Sequence, residues 1–234
     1  MQAMAQRIDQ MDSIKRGGLD KFIRYATEDR PFKTDFIASQ SDTEFWTHFP
    51  QVKAFKDSLS GDLLAFLHDR LKVHLRAEGI RHDVIDAALP MPGNDDLVLL
   101  VARVRALQAF LATEDGANLL AGYKRAANIL AQEEKKDGVE YSLDPDPRYA
   151  ETLEEGALFA ALDAAGTALA PALAAEDFAT AMSTLARLRE PIDAFFETTV
   201  VNADSPTIRR NRLCLLNRIR MVMNRVAVFS ALEG

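Results

Sequence analysis

From Leu63 to Val226 apolar residues return every three or four positions in successive runs, and no convincing two-residue alternation interrupts them. That spacing gathers side chains on one face of an α-helix, so the pattern asks for helices that pack together rather than for a sheet. The first run, Leu63, Leu64, Leu67, Leu71 and Leu75, predicts a helix beginning near Ser60 or Asp62 and stopping at Gly79. Residues Asp83 to Leu89 read as a short helix ended by Pro90 and Pro92. Asn94 is the expected N-cap of the next helix, with Asp95 and Asp96 in its first turn and Leu97, Leu100, Val101, Val104, Leu107 and Leu111 as its buried stripe. A fourth helix runs from about Gly116 to Lys136, and Leu119, Leu120, Tyr123 and Leu130 face inward. Residues Asp137 to Pro147, which mix Gly, Ser, Asp and Pro, read as an exposed connection. An Ala-rich acidic helix follows over Tyr149 to Glu176, then another over Asp177 to Leu188, and Pro191 forces a kink or break before Phe195 and Phe196. The last helix has Ser205 as N-cap and Pro206 at its first position, with Ile208, Leu215, Leu216, Ile219, Met223 and Val226 as its apolar stripe. Gly (11) and Pro (9) are scarce, and 48% hydrophobic residues suffice for a core. The expected fold class is an all-α helical bundle of about seven helices.

The first 59 residues are a patchwork and receive no assignment. A polar helical run reaches Ile14, Gly17 and Gly18 break it, and an aromatic segment follows with Phe32, Phe36, Phe45, Trp46, Phe49 and Phe55. The expected organisation is this unassigned, partly helical segment, 1–59, and a helical domain over 60–234. The single cysteine, Cys214, rules out an internal disulfide and fits a reducing cytosol. No basic start is followed by an apolar run, and no window approaches about 18 unbroken apolar residues. The expectation is a cytoplasmic chain without a membrane partner.

The net charge of −7 argues against a nucleic-acid partner until its distribution is examined. Glu140 to Glu197 carries 12 acidic and 3 basic residues, whereas Thr198 to Gly234 carries 6 Arg against Asp204 and Glu233. At about 100° per residue, the last helix sets Arg210, Asn217, Arg218, Arg220, Asn224 and Arg225 opposite its apolar stripe. The guanidinium fork suits phosphate, and an amide can read a base edge. An ordinary solvated face is the alternative, but such faces usually mix signs to make pairs across a turn. Arg212 projects toward the apolar side, either as a structural cation or toward a ligand. The fourth helix offers a second strip, Lys124, Asn128, Gln132 and Lys135 with Arg125 beside it, unless Glu133 and Glu134 neutralise its lysines.

No catalytic or metal-binding residue is expected. The doublets His68-Asp69 and His82-Asp83 have the form used by HD-type metal phosphohydrolases, but the other ligands that such a site requires have no clear candidates. The chain lacks a phosphate-binding G-x-x-x-x-G-K-[ST] loop, a G-x-S-x-G elbow and a Cys cluster.

The runs DLLAFLHDRLKVHLRAEGIRHDVIDAAL from Asp62, LVARVRALQAFLATEDGANLLAGYKRAANILAQEEKK from Leu99, and LARLREPIDAFFETTVVNADSPTIRRNRLCLLNRIR from Leu185 resemble the C-terminal region of bacterial glycyl-tRNA synthetase β subunits. The similarity covers about residues 60–234 and departs at Val228, where an Asp is expected. The resemblance implies a DALR-like helical anticodon-binding domain of the kind shared with arginyl-tRNA synthetase. It implies tRNA-Gly as partner, together with a separate α subunit that holds the active site and uses ATP and Mg, in a heterotetramer. The chain itself would hold no cofactor. The family's β subunit is several times longer, so a fragment, a truncated gene product or relic, or a split form is expected. Carried onto this chain, the tRNA-binding role falls on Lys124, Arg125 and Asn128 in the KRAAN run and on Arg209, Arg210 and Arg212 in the RRNR run. Charge and facing add Lys135, Arg218 and Arg220, with Tyr123 as a residue for stacking on a base. The competing expectation is a non-catalytic structural or protein-interaction bundle.

Overall fold

A computed structural model describes the backbone of residues 50–233 and the side chains from Gly61 onward. The readings made for residues 1–49 lie outside the described residues. The described chain contains α1 (Pro50–Ala77), α2 (His82–Ala88), α3 (Leu97–Leu111), α4 (Glu114–Asp137), α5 (Leu153–Ala174), α6 (Phe178–Ala186), α7 (Arg189–Thr198) and α8 (Pro206–Met223). Two 3-10 turns, Pro147–Tyr149 and Phe229–Ala231, complete it, and the described residues include no strand. The all-α expectation holds. Two compact units divide the chain, Met1–Leu71 and Lys72–Gly234, so α1 runs through the division.

Cap chemistry sets the helix starts, and it moves several of them from their expected places. The described part of α1 already spans Pro50–Ala77, so the helix does not begin near Ser60. The N-cap of α3 is Asp96, whose carboxylate accepts from the amides of Val98 and Leu99. Asn94 cannot serve because its side-chain amide is engaged in donating to the Leu89 carbonyl at 3.0 Å. Thr113 caps α4 through the Gly116 amide, Thr152 caps α5 through the Glu155 amide, and Asp177 caps α6 through the Thr180 amide. α5 starts at Leu153 rather than Tyr149 because Asp146 closes a separate turn over Pro147–Tyr149 and Ala150 is extended. Pro191 is accommodated as the third residue of α7, inside the first turn, where no helical amide is needed.

In the unit from Lys72 on, α8 packs against α4 and α5, α7 against the same two helices, and α6 against α5 and α3. Leu158, Leu162 and Leu169 of α5, Tyr123 and Leu130 of α4, Ile192 and Phe195 of α7, and Leu213, Leu216 and Ile219 of α8 are fully buried. Each such leucine contributes on the order of 2 kcal/mol by leaving water. α4 and α7 approach closely at Gly122, where an added Cβ would lie 2.9 Å from Ile192 Cγ2. α5 is long and apolar enough by composition to cross a membrane, although the sequence reading found no such stretch. Leu158, Leu162 and Leu169 are buried, and most of its outward positions are alanines, which raise hydropathy without forming a bulky apolar face.

The connection after α4 is strapped down at intervals. Gly138, with φ of +66°, donates its amide to the Glu134 carbonyl and turns the chain out of the helix. Tyr141 and Pro145 are buried while Ser142, Leu143 and Asp144 between them are exposed. The Tyr141 hydroxyl donates to Asp137 at 2.5 Å. Asn211 of α8 accepts from the Asp146 amide at 2.8 Å and donates to its carbonyl at 3.0 Å.

Candidate nucleic-acid interface

The structure gives most arginines of α8 a carboxylate. Arg212 is only 6% exposed and bonds Glu155 of α5, which is 1% exposed, while its Nη2 reaches Glu151 at 2.9 Å. Its Nη1 donates to the Val200 carbonyl at 3.0 Å, so each guanidinium nitrogen is bonded within the fold. Of the two roles open to it from sequence, Arg212 is the structural cation. Arg209 turns toward α4, with Nη2 at 2.5 Å from Glu133 and 2.6 Å from Asp137, and Nη1 at 3.1 Å from the Tyr141 hydroxyl. Asp137 and Glu133 raise the pKa of Arg209 further above its ordinary value. Arg209 and Arg212 therefore leave the set of groups available to RNA, because their guanidinium forks are already filled. Arg218 bonds Asp163 of α5 but keeps about a quarter of its side chain exposed. Arg220 donates to Asn217 Oδ1 at 2.7 Å and lies 3.8 Å from Glu134, while remaining half-buried. Arg210 is exposed and forms no ion pair among the described residues.

The strip on α4 has a different environment. Tyr123, Glu133, Glu134 and Asp137 form the side of α4 that meets α8, and that side is acidic. Since residues on opposite sides of a helix differ by about 180°, Arg125, Asn128, Gln132 and Lys135 point away from α8. All four are exposed, and Lys124 is half-buried beside them. Glu133 and Glu134 do not neutralise Lys135, because they turn inward to Arg209 and Arg220. Glu133 takes Lys136 as well, at 3.3 Å. Arg125 stands 4.3 Å over the Phe196 ring of α7, a cation–π contact that steadies the stem of the side chain at the surface. Lys124, Arg125 and Lys135 form no ion pair among the described residues. The two strips thus belong to neighbouring helices and do not form one continuous surface.

Tyr123 is unavailable for stacking on a base. It is 1% exposed, its hydroxyl lies 3.3 Å from Asn224 Oδ1, and its ring packs on Phe229 at 5.5 Å. Of the His-Asp doublets, the second is a structural joint. Asp83 is buried, bonded by the Arg81 guanidinium and by the amides of Val84 and Glu233. Burial would raise its pKa, but the donors from Arg81 and from the Glu233 amide outweigh that and hold it below the usual carboxylate range. At Val228 the backbone amide donates to the Ala87 carbonyl at 2.8 Å, so the chain end is tied to α2 without help from a side chain there.

A groove of about 340 Å³ lies between the 142–145 segment and α8, lined by Leu143, Asn217, Arg218, Met221 and Arg225. The sequence placed Arg218 and Arg225 on one face but carried no sign that the connection folds back over them.

Residues 119–227 match the model of the DALR anticodon binding domain family. That span is similar to the anticodon-binding family and makes up a little under half of the chain. It begins within α4, ends just beyond α8, and contains all nine candidate residues from Lys124 to Arg220. The chain is 66% identical over 173 residues to the glycine–tRNA ligase beta subunit of Cereibacter sphaeroides, covering 74% of this chain and 25% of that protein. It is 60% identical over 183 residues to the same subunit of Paracoccus denitrificans, covering 78% of this chain and 27% of the relative. The protein so named in Dinoroseobacter shibae is 60% identical over 182 residues. The chain thus spans about a quarter of the length of these relatives.

Proposed function

We propose that this chain binds the anticodon arm of tRNA-Gly as the DALR-bearing part of a glycine–tRNA ligase β subunit. A separate α subunit would carry out the ligation with ATP and Mg, and the site of action would be the cytoplasm. The observation that carries the reading is the outward ridge of α4. Lys124, Arg125, Asn128, Gln132 and Lys135 lie on exposed or half-buried positions inside the anticodon-binding domain, and the nearby carboxylates are drawn inward by α8. Lys124, Arg125 and Lys135 meet backbone phosphates, displacing counterions, while the amides of Asn128 and Gln132 read the edges of unstacked anticodon bases. Arg210 and the partly exposed Arg218 and Arg220 of α8 supply further contacts, and Arg209 and Arg212 hold the helices that present them.

Fluorescence anisotropy with labelled tRNA-Gly and a non-cognate tRNA, across a potassium chloride series, tests the reading. Tighter binding of tRNA-Gly is expected, with affinity falling steeply as salt rises. The triple substitution Lys124→Glu, Arg125→Glu and Lys135→Glu is expected to weaken binding by more than about tenfold while leaving the circular dichroism spectrum unchanged. Equal binding of both tRNAs, or an unaltered affinity in the triple variant, overturns it.

A further inference from the structure

Arg103 stands in the buried stripe of α3, three residues after Leu100 and four before Leu107, and is 7% exposed. Its guanidinium carbon lies 5.0 Å over the Phe178 ring, and Nη2 donates to the Pro92 carbonyl at 3.1 Å. Nε is buried and has no partner, and no carboxylate pairs with the side chain among the described residues. The contrast with Arg212, equally buried but bonded to two glutamates, is chemical rather than positional. Taking a guanidinium out of water without a counter-anion is unfavourable, and one aromatic face and one carbonyl return only part of that loss. Burial accordingly pushes the pKa of Arg103 down.

Arg103 is not sealed in. It lines a cleft of about 380 Å³ with Pro92, Gly93, Leu99, Leu173 and Arg225. Arg225 is exposed, donates through Nη1 to the Gly166 carbonyl at 2.7 Å, and forms no ion pair among the described residues. Glu176 also borders the cleft but is exposed to solvent and pairs with neither arginine. One guanidinium is therefore fixed at depth and a second stands on the wall, with apolar surface between them. Two guanidinium groups bordering one cleft suit the several oxygens of a tetrahedral anion better than the single edge of a carboxylate.

We propose that this cleft, bounded by the α2–α3 turn, α3 and the end of α5, is a phosphate-binding site with Arg103 as buried anchor and Arg225 as outer clamp. Inorganic phosphate and a phosphodiester of bound RNA present the same chemistry. Arg225 also borders the groove that holds Arg218, so an RNA strand lying along α8 has a route to the cleft. The site does not depend on the ridge of α4.

Titration calorimetry of the full chain with inorganic phosphate, in chloride buffer of matched ionic strength, is expected to show saturable binding. Arg103→Met is expected to weaken it by about tenfold or more, since a charge-assisted contact is lost. The same variant is expected to melt at or above the temperature of the parent, because an unpaired buried cation has been replaced by an apolar chain. Arg225→Gln is expected to weaken phosphate binding less, with no change in melting. The source is then read from tRNA binding: weakening by Arg103→Met assigns the site to RNA phosphodiester, and no change assigns it to free phosphate. Absence of saturable phosphate binding, equal binding by parent and Arg103→Met, or a marked fall in the melting temperature of that variant overturns the proposal. Reversing the charges on α4 leaves phosphate binding intact, which separates failure of this site from failure of the anticodon reading.

Discussion

α4 and α8 carry the same kinds of cationic side chain and lie against each other, yet the surroundings of those cations differ. On α8, Arg209, Arg212 and Arg218 reach carboxylates on α4 and α5 and bind the helices together. On α4, Arg125 and Lys135 point to solvent, because the acidic side of that helix is the side turned to α8. The distinction is which neighbour a side chain meets after packing, and helical facing alone is blind to it. A row of arginines without acidic residues on its own helix is a row awaiting carboxylates from another helix as much as from a phosphate backbone.

The contrast can be broken at its strongest point by Arg212→Met. Removing this cation leaves Glu155 buried and unpaired, and the expected loss is about 3–5 kcal/mol in urea denaturation. Adding Glu155→Leu is expected to recover most of that loss, since a buried pair replaced by apolar groups is often neutral. A stability change below about 1 kcal/mol for the single substitution would show that α8 is not held in this way.

A second expectation concerns acid. The Arg209 guanidinium holds Glu133 below the ordinary carboxylate range, and the Tyr141 hydroxyl followed by Arg209 does the same for Asp137. Carboxylates with lowered folded-state pKa values contribute stability that is complete above their ordinary values and disappears as the pH falls through the folded ones. Arg209→Gln is therefore expected to melt below the parent at pH 7, with the gap closing as the pH drops below about 4. A gap of constant size down to about pH 3 contradicts the assignment.

The smallest effect on stability is expected on α4. Lys135→Ala should alter unfolding free energy by less than about 0.5 kcal/mol, as an exposed cation without a partner. It should still reduce the slope of log affinity for tRNA-Gly against log salt by about 0.7–0.9, the share of one phosphate contact. An unchanged slope removes Lys135 from the interface.

Much of this was legible in the residues themselves. Apolar spacing located the helices, and Pro206, Gly79 and Gly138 mark ends that chain chemistry alone explains. The start of α3 was misplaced because Asn94, Asp95 and Asp96 are all competent caps, and the choice turned on the Leu89 carbonyl, which engages Asn94. The inward facing of Tyr123 is legible in the spacing, and its burial against Phe229 excludes stacking on a base. Arg103, a cation three residues from Leu100 in an apolar row, is a signal that spacing does contain.

Local chemistry determined the helical architecture, because hydrogen bonds between residues four apart and the caps that end them involve only neighbours in the chain. It also determined the division of charge between an acidic middle and a basic end. Packing decided which of those charges remain available. A guanidinium is satisfied by whatever anion comes within about 3 Å, and that anion belongs to another helix, brought there by burial of apolar faces that carry no information about charge.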